Sequence, residues 1–221
     1  MMAMMEMTMT ETGTLDLTRT VALLEHVSNR MIAQVDILTD ADLAIGDGDH
    51  GIGMQRGFEG ALESLKTAPP ATIEEALRTV GSSILSKTGG AAGAIFGTLF
   101  RAGSKALGDG QALDAGGFAA FLETGLEAVL KRGGVTEGQK TIIDALAPAA
   151  RAARLGAGGS LATTIAMASR AADDGVEATK AMIATTGKAR SLGERSIGHP
   201  DPGAISVSLI LKAMHEFVTS A

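Results

Sequence analysis

Asp42, Asp47 and Asp49 place three carboxylates within eight residues, separated by glycines and followed at once by His50. Like charges this close repel one another unless a cation sits among them. Carboxylate oxygens are hard ligands and the chain has no cysteine, so Mg²⁺ or Ca²⁺ suits the cluster better than Zn²⁺. One aspartate ahead of a helix reads as an N-cap. Three at steps of five and two read as a metal site. A twelve-residue EF-hand loop begun at Asp42 would end on Gly53 where a glutamate is needed. The stretch Gly138-Gln139-Lys140-Thr141 lacks the first glycine of a GxxxxGK[ST] loop. The cluster therefore follows neither design.

Four glycine-bearing segments stand at expected helix boundaries. The first is the acidic run itself, continuing through Gly51, Ile52 and Gly53. The second is Thr88-Gly89-Gly90-Ala91-Ala92-Gly93. The third is Gly138 to Thr141. The fourth runs from Leu192 through His199-Pro200-Asp201-Pro202-Gly203. Free N–H groups at a helix N-terminus bind anions, and glycine lets a phosphate approach closely. Any one of these could simply end a helix. Together with the aspartates they describe a cradle for a polyphosphate and its cation.

Positioning such a cradle needs a rigid frame. The chain has 221 residues, enough for one domain with a full core, and 45% of them are hydrophobic. Leu17, Val21, Leu24, Ser28, Met31 and Val35 recur at steps of four and three, as do Ile73, Leu77, Val80 and Ile84, and again Ala204, Val207, Leu211, Met214 and Val218. Further helices are expected over about 50–66, 92–107, 115–132, 140–155 and 160–186. That makes eight helices in an all-α chain, with plain loops at Lys66 to Thr72 and Leu107 to Asp114. The abundant alanine and glycine would let helices approach closely. Residues 1–13 are expected to be disordered, and 14–221 to form a single nucleotide-binding domain. Net charge is −6 with scattered basic residues, which argues against nucleic acid. No run approaches the roughly 18 apolar residues of a membrane span, and the Met-rich start carries no basic region, so a cytoplasmic protein is expected.

Ile45 to Gly51, Gly89 to Gly93 with Phe96-Gly97-Thr98, Lys140-Thr141 with Asp144, and Leu192 to His199 with Asp201 to Ala204 occur in this order along the chain. With these four motifs the chain resembles the ADP-binding L subunit of dihydroxyacetone kinase, the DhaL family, over nearly its whole length. The resemblance implies a closed up-and-down barrel of eight antiparallel helices with the nucleotide in the loops at one end. It implies two Mg²⁺ ions on Asp42, Asp47 and Asp49, bridging the phosphates of ADP or ATP. It implies phosphate contacts from His50, Gly51, Ile52, Gly53, Ala91 and Ala92. Gly133, Ile142, Lys188, Asp201, Pro202 and Gly203 would close around the nucleotide.

In that family the ketose is held covalently by a histidine of a separate K subunit or domain. The resemblance therefore implies a DhaK-type partner, with the chain active as a kinase only beside it. In relay-type relatives a phosphotransferase-system protein is the phosphoryl donor. A homodimer stays open. Several positions depart from the family pattern: Gly53 stands for Asn, Ala92 for Ser, Lys188 for Arg, Ser191 for Tyr and Gln139 for Asp. A lost hydroxyl and a lost bidentate contact weaken the grip on phosphate, which favours a nucleotide that exchanges. Two other readings remain: the nucleotide domain of a fatty-acid kinase system, and an all-α lipid-binding barrel.

Overall fold

The structure, a computed structural model, describes residues 13–220. Of the segment expected to be disordered, all but Gly13 lies outside the described residues. Nine α-helices form among the described residues: α1 (Leu17–Ile32), α2 (Val35–Ile45), α3 (His50–Thr67), α4 (Ile73–Lys87), α5 (Gly90–Gly103), α6 (Ala115–Gly133), α7 (Ile143–Gly156), α8 (Leu161–Thr179) and α9 (Pro202–Thr219). Two 3₁₀ segments, Ser104–Leu107 and Lys188–Ser196, complete the set. The only strand-like pairing among them is a single bridge between Leu15 and Leu113.

The all-α expectation holds, but two of the expected helices change. The run from Leu17 to Val35 breaks after Ile32, and a separate α2 carries Asp42 on a helix. Only Leu38 and Ile45 of α2 are buried, so it leaves almost no periodic trace in the sequence. The helix expected over 160–186 stops at Thr179, where residues distant in sequence take up its end. Elsewhere the helix limits follow their capping chemistry. Asp16 accepts from Arg19 N at 2.8 Å, Thr72 from Glu75 N at 3.1 Å, Asp114 from Gly117 N at 2.7 Å and Ser160 from Thr163 N at 3.1 Å. Each bond satisfies a donor that the first helical turn leaves free.

The helices pack in chain order. α1 lies on α3, each helix from α3 to α8 lies on the next, and α9 returns to α1. The fully buried Phe58, Phe96, Phe100 and Phe118 fill the centre with Met54, Leu38 and Ile143. Phe100 meets Phe121 edge to face at 5.6 Å. The tight contact between α7 and α8 has a specific cause. Pro148 inside α7 has no N–H to give to the carbonyl of Asp144. Gly175 of α8 packs onto that carbonyl, where a Cβ would come within 2.3 Å of the oxygen. α2 stands apart from the chain-order packing, against α3, α9 and the Lys188–Ser196 segment. Its task is to deliver Asp42.

Candidate functional site

One end of the helices opens into a cleft of about 330 Å³. Its walls come from the 42–50 segment, the start of α3, the Thr88–Ala92 turn, the Lys140–Ile142 turn, residues 186–189 and the Asp201–Gly203 start of α9. Of the residues expected at a site, the cleft gathers Asp42, Asp47, Asp49, His50, Gly53, Ala91, Ala92, Ile142, Lys188, Asp201, Pro202 and Gly203. Three fall outside it. Gly51 is buried against α2, where a Cβ would meet Thr39 Oγ1 at 2.2 Å and the Val35 carbonyl at 2.3 Å. It is glycine so that α2 can lie close enough to bring in Asp42. Ile52 points to solvent and is 51% exposed. Gly133, exposed at the end of α6, lies beside Val135 and beside Ile95, which does line the cleft.

The carboxylates of Asp42, Asp47 and Asp49 offer oxygens that all lie within 4.8 Å of one another. Asp42 comes from the last turn of α2, and its Oδ2 accepts the backbone N–H of His50 at 3.2 Å. This bond ties the end of α2 to the beginning of α3. The Lys188 ammonium donates to Asp47 and, at 3.1 Å, to Asp49. It holds the Asp47 carboxyl below the usual carboxylate range, mainly through that hydrogen bond. A cation thus already sits between two of the three acids. With three hard oxygen donors, this makes the cluster fit for a divalent ion.

Helix ends supply the complementary partial charge. α3 and α5 begin at the cleft without a side-chain bond from their N-cap residues, unlike the capped starts of α1, α4, α6 and α8; at the start of α7 the Ile143 N–H donates to Thr141 Oγ1 at 3.2 Å. Gly89, at φ 78°, turns the chain into α5, and no atom stands within 4 Å of where its Cβ would be. The first N–H groups of α5 therefore face open space, as an anion requires.

His50 is turned away from the acids. Its Nε2 lies 2.8 Å from Ser206 Oγ, and Ser206 gives its own proton to the Pro202 carbonyl at 3.2 Å. Nε2 is therefore the protonated nitrogen, donating to the serine oxygen. Burial beside Phe96 pushes the imidazole below its usual pKa, against the pull of Asp42 and Asp49. A neutral ring that links α3 to α9 results.

The far wall is organised around Lys140, which sequence reasoning placed in a motif without a role. Asp144, almost fully buried, accepts from Gly138 N at 2.5 Å and Thr141 N at 2.7 Å. This closes a turn in which Lys140 takes φ 59°. The side chain is 2% exposed, and its ammonium donates at 2.5 Å to the carbonyls of both Thr179 and His199. Three segments are thereby joined: the turn before α7, the end of α8 and the entry to α9. Burial lowers the lysine's pKa, and the nearby Asp201 and Asp144 oppose this. Arg56 also reaches the cleft, with Nη2 3.2 Å from the Thr88 carbonyl. Its spacing of three from Gly53 on α3 was the available signal.

Asp201 caps α9 by accepting Ala204 N at 2.8 Å. Its residue keeps some surface on the cleft wall, but the carboxyl is enclosed by protein. Desolvation, aided by Asp144 and opposed by the Ala204 N–H and Lys140, raises its pKa from 3.8 to about 7. The folded value lies above the unfolded one, so protonation favours the fold. That contribution is complete below pH 4 and is lost as the pH rises to about 7. Asp201→Asn keeps a capping oxygen without the charge. It should flatten the stability profile across this window and exceed the wild type at pH 8 by about 1–3 kcal/mol. Urea midpoints for both proteins between pH 4 and 8 test this, and parallel profiles would refute it.

An all-α frame that gathers clustered carboxylates, two lysines and the uncapped starts of α3 and α5 at one cleft has the make-up of a cation–phosphate protein. The chain belongs to the DAK2 domain family, whose model matches residues 44–216. It is 40% identical over 195 residues to the ADP-binding subunit DhaL of PEP-dependent dihydroxyacetone kinase 1 from Listeria innocua, covering 86% of this chain and 91% of that one. It is 36% identical over 181 residues to the corresponding ADP-binding subunit DhaL from Escherichia coli, covering 81% and 86%. Its fold matches the crystal structure of the dihydroxyacetone kinase from C. freundii in complex with AMP-PNP and Mg²⁺, with a TM-score of 0.69 and 23% identity. That match covers 98% of this chain and 37% of the larger protein.

Proposed function

We propose that this chain is the cytoplasmic nucleotide-binding subunit of a dihydroxyacetone-type ketose kinase. It holds ADP or ATP with two Mg²⁺ ions and passes a phosphoryl group to a ketose carried by a separate DhaK-type subunit. The observation that carries the reading is the meeting of Asp42, Asp47 and Asp49 within 4.8 Å at the mouth of a cleft edged by uncapped helices. The DhaL names of relatives that cover most of their own length support it. So does the bound AMP-PNP and Mg²⁺ of the structural neighbour. The return of α9 to α1 supports a closed barrel of eight helices with α2 outside it.

Asp42, Asp47 and Asp49 would hold the metal, whose chemistry there is to neutralise polyphosphate charge. The open N–H groups of α3 and α5 would take phosphate oxygens, with Ala91 and Ala92 at the α5 edge and Gly53 leaving room at the α3 edge. Lys188 would pair with the phosphates from the opposite side. Ile142, Pro202 and Gly203 would flank the remainder of the nucleotide, and Gly133 would border the cleft beside Ile95. His50 would fix the α3 edge through Ser206. Gly51 and Ile52 would contribute through the backbone of the same turn. In the cleft Lys140 is engaged with two carbonyls and His50 with Ser206, so neither is free to hold a ketose carbonyl covalently.

The purified chain alone should therefore leave dihydroxyacetone unphosphorylated. Adding a DhaK-type subunit with the matching phosphoryl donor should start transfer, followed as dihydroxyacetone phosphate by a coupled dehydrogenase assay. Sustained turnover by the chain alone would overturn the partner requirement.

A further inference from the structure

Lys188 stands where a divalent ion would be drawn. It is the cation nearest the acids, and it bonds to the two that face water. We propose that Lys188 makes metal entry depend on nucleotide: its ammonium occupies Asp47 and Asp49 until phosphates offer it another anion. This rests on the reading of Asp42, Asp47 and Asp49 as metal ligands and adds an order of binding to it.

The argument is one of charge and access. A metal ion arriving alone must push the ammonium off Asp47 and Asp49 into water, because Asp42 beside them is itself counted as a ligand of that metal and gives its Oδ2 to the His50 N–H. Asp201 is the next carboxyl in the cleft wall, and it is committed to Ala204 N with Lys140 behind it. A metal ion arriving with ADP brings the phosphates that can receive the ammonium. The exchange is easy because the pairs are open to water. The side chains of Lys188, Asp47 and Asp49 are 59%, 51% and 71% exposed, and exposed ion pairs hold weakly. A lysine suits this task better than an arginine, because a compact charge on a flexible stem can change partners without breaking a bidentate fork. The same residue thus opposes free metal and favours metal–nucleotide, a coupling that must be reciprocal.

The test is a Mn²⁺ titration, read by electron paramagnetic resonance, of wild type, Lys188→Met and Lys188→Arg, each with and without ADP. Lys188 lies on the surface, so neither change should disturb folding. Lys188→Met is expected to bind Mn²⁺ alone about tenfold more tightly and Mn²⁺ with ADP about tenfold more weakly. The gain in Mn²⁺ affinity brought by ADP then shrinks about a hundredfold. Lys188→Arg keeps the charge and should retain most of that gain. If Lys188→Met binds Mn²⁺ alone no better than wild type, while wild type still binds Mn²⁺ with ADP, the gating role is overturned and the metal reading stands. If neither protein binds Mn²⁺ under either condition, the metal reading falls and the gating role with it.

Discussion

Asp47→Ala is expected to abolish Mg²⁺-dependent ADP binding and to leave the fold unchanged. Asp47 lies in the link between α2 and α3, its side chain is half exposed, and its side-chain ion pair is with Lys188. It caps no helix, so its loss should change stability by less than about 0.5 kcal/mol, as for an ordinary surface site. Its loss from a three-carboxylate set is another matter. Residues that merely orient ligands are worth about 10–100-fold in metal affinity, and a direct ligand should exceed this. Calorimetry should show a fall of at least about a hundredfold for Mg²⁺–ADP, with a superimposable thermal melt. Unchanged affinity would remove Asp47 from the ligand set.

Lys140→Met should have the opposite profile, a large loss of stability. Methionine follows the lysine stem as far as Cε and lacks the ammonium. The buried carbonyl of Thr179 and the partly buried carbonyl of His199 would then lose their donor. Removing one partner from a buried charged network costs about 3–5 kcal/mol. For a chain of this size each kcal/mol moves the melting point by about 2–4 °C, so Tm should drop by about 6–20 °C. Nucleotide affinity should weaken as well, because the Lys140–Ile142 turn and the Asp201–Gly203 corner both line the cleft. A variant melting within 2 °C of wild type would mean that the two carbonyls find other donors and that Lys140 does not hold the wall together.

What could be read in advance was whatever repeats locally. The stripe of Ala204, Val207, Leu211 and Met214 marks α9 because each residue faces the same core. The aspartate cluster was legible because all three acids lie in one short stretch. α2 was not, since a helix that buries two residues of its eleven has no stripe to show. Asp42 therefore fell between the expected helices, and it stands on α2. The end of α8 was missed for a different reason. The sequence continues through Met182 and Ile183 with no glycine or proline before Gly187, so a local window extends the helix. Its end at Thr179 is received by the Lys140 ammonium, 39 positions away, and by the N–H of Asp201. The Lys188 pairs with Asp47 and Asp49 span 141 and 139 positions, beyond any periodic signal. The family resemblance implies a phosphate contact for Gly51, and its missing side chain also serves the contact between α3 and α2, which positions Asp42.

The central claim is that one cleft holds a divalent ion and a nucleotide together, and anomalous diffraction from crystals grown with Mn²⁺ and ADP tests it most directly. The expected result is anomalous density within bonding distance of Asp42, Asp47 and Asp49, with ADP phosphates between it and the N-termini of α3 and α5. Lys188 should then lie on the phosphates and no longer on Asp47. Manganese bound away from these three carboxylates, or ADP ordered outside the cleft, would contradict the claim.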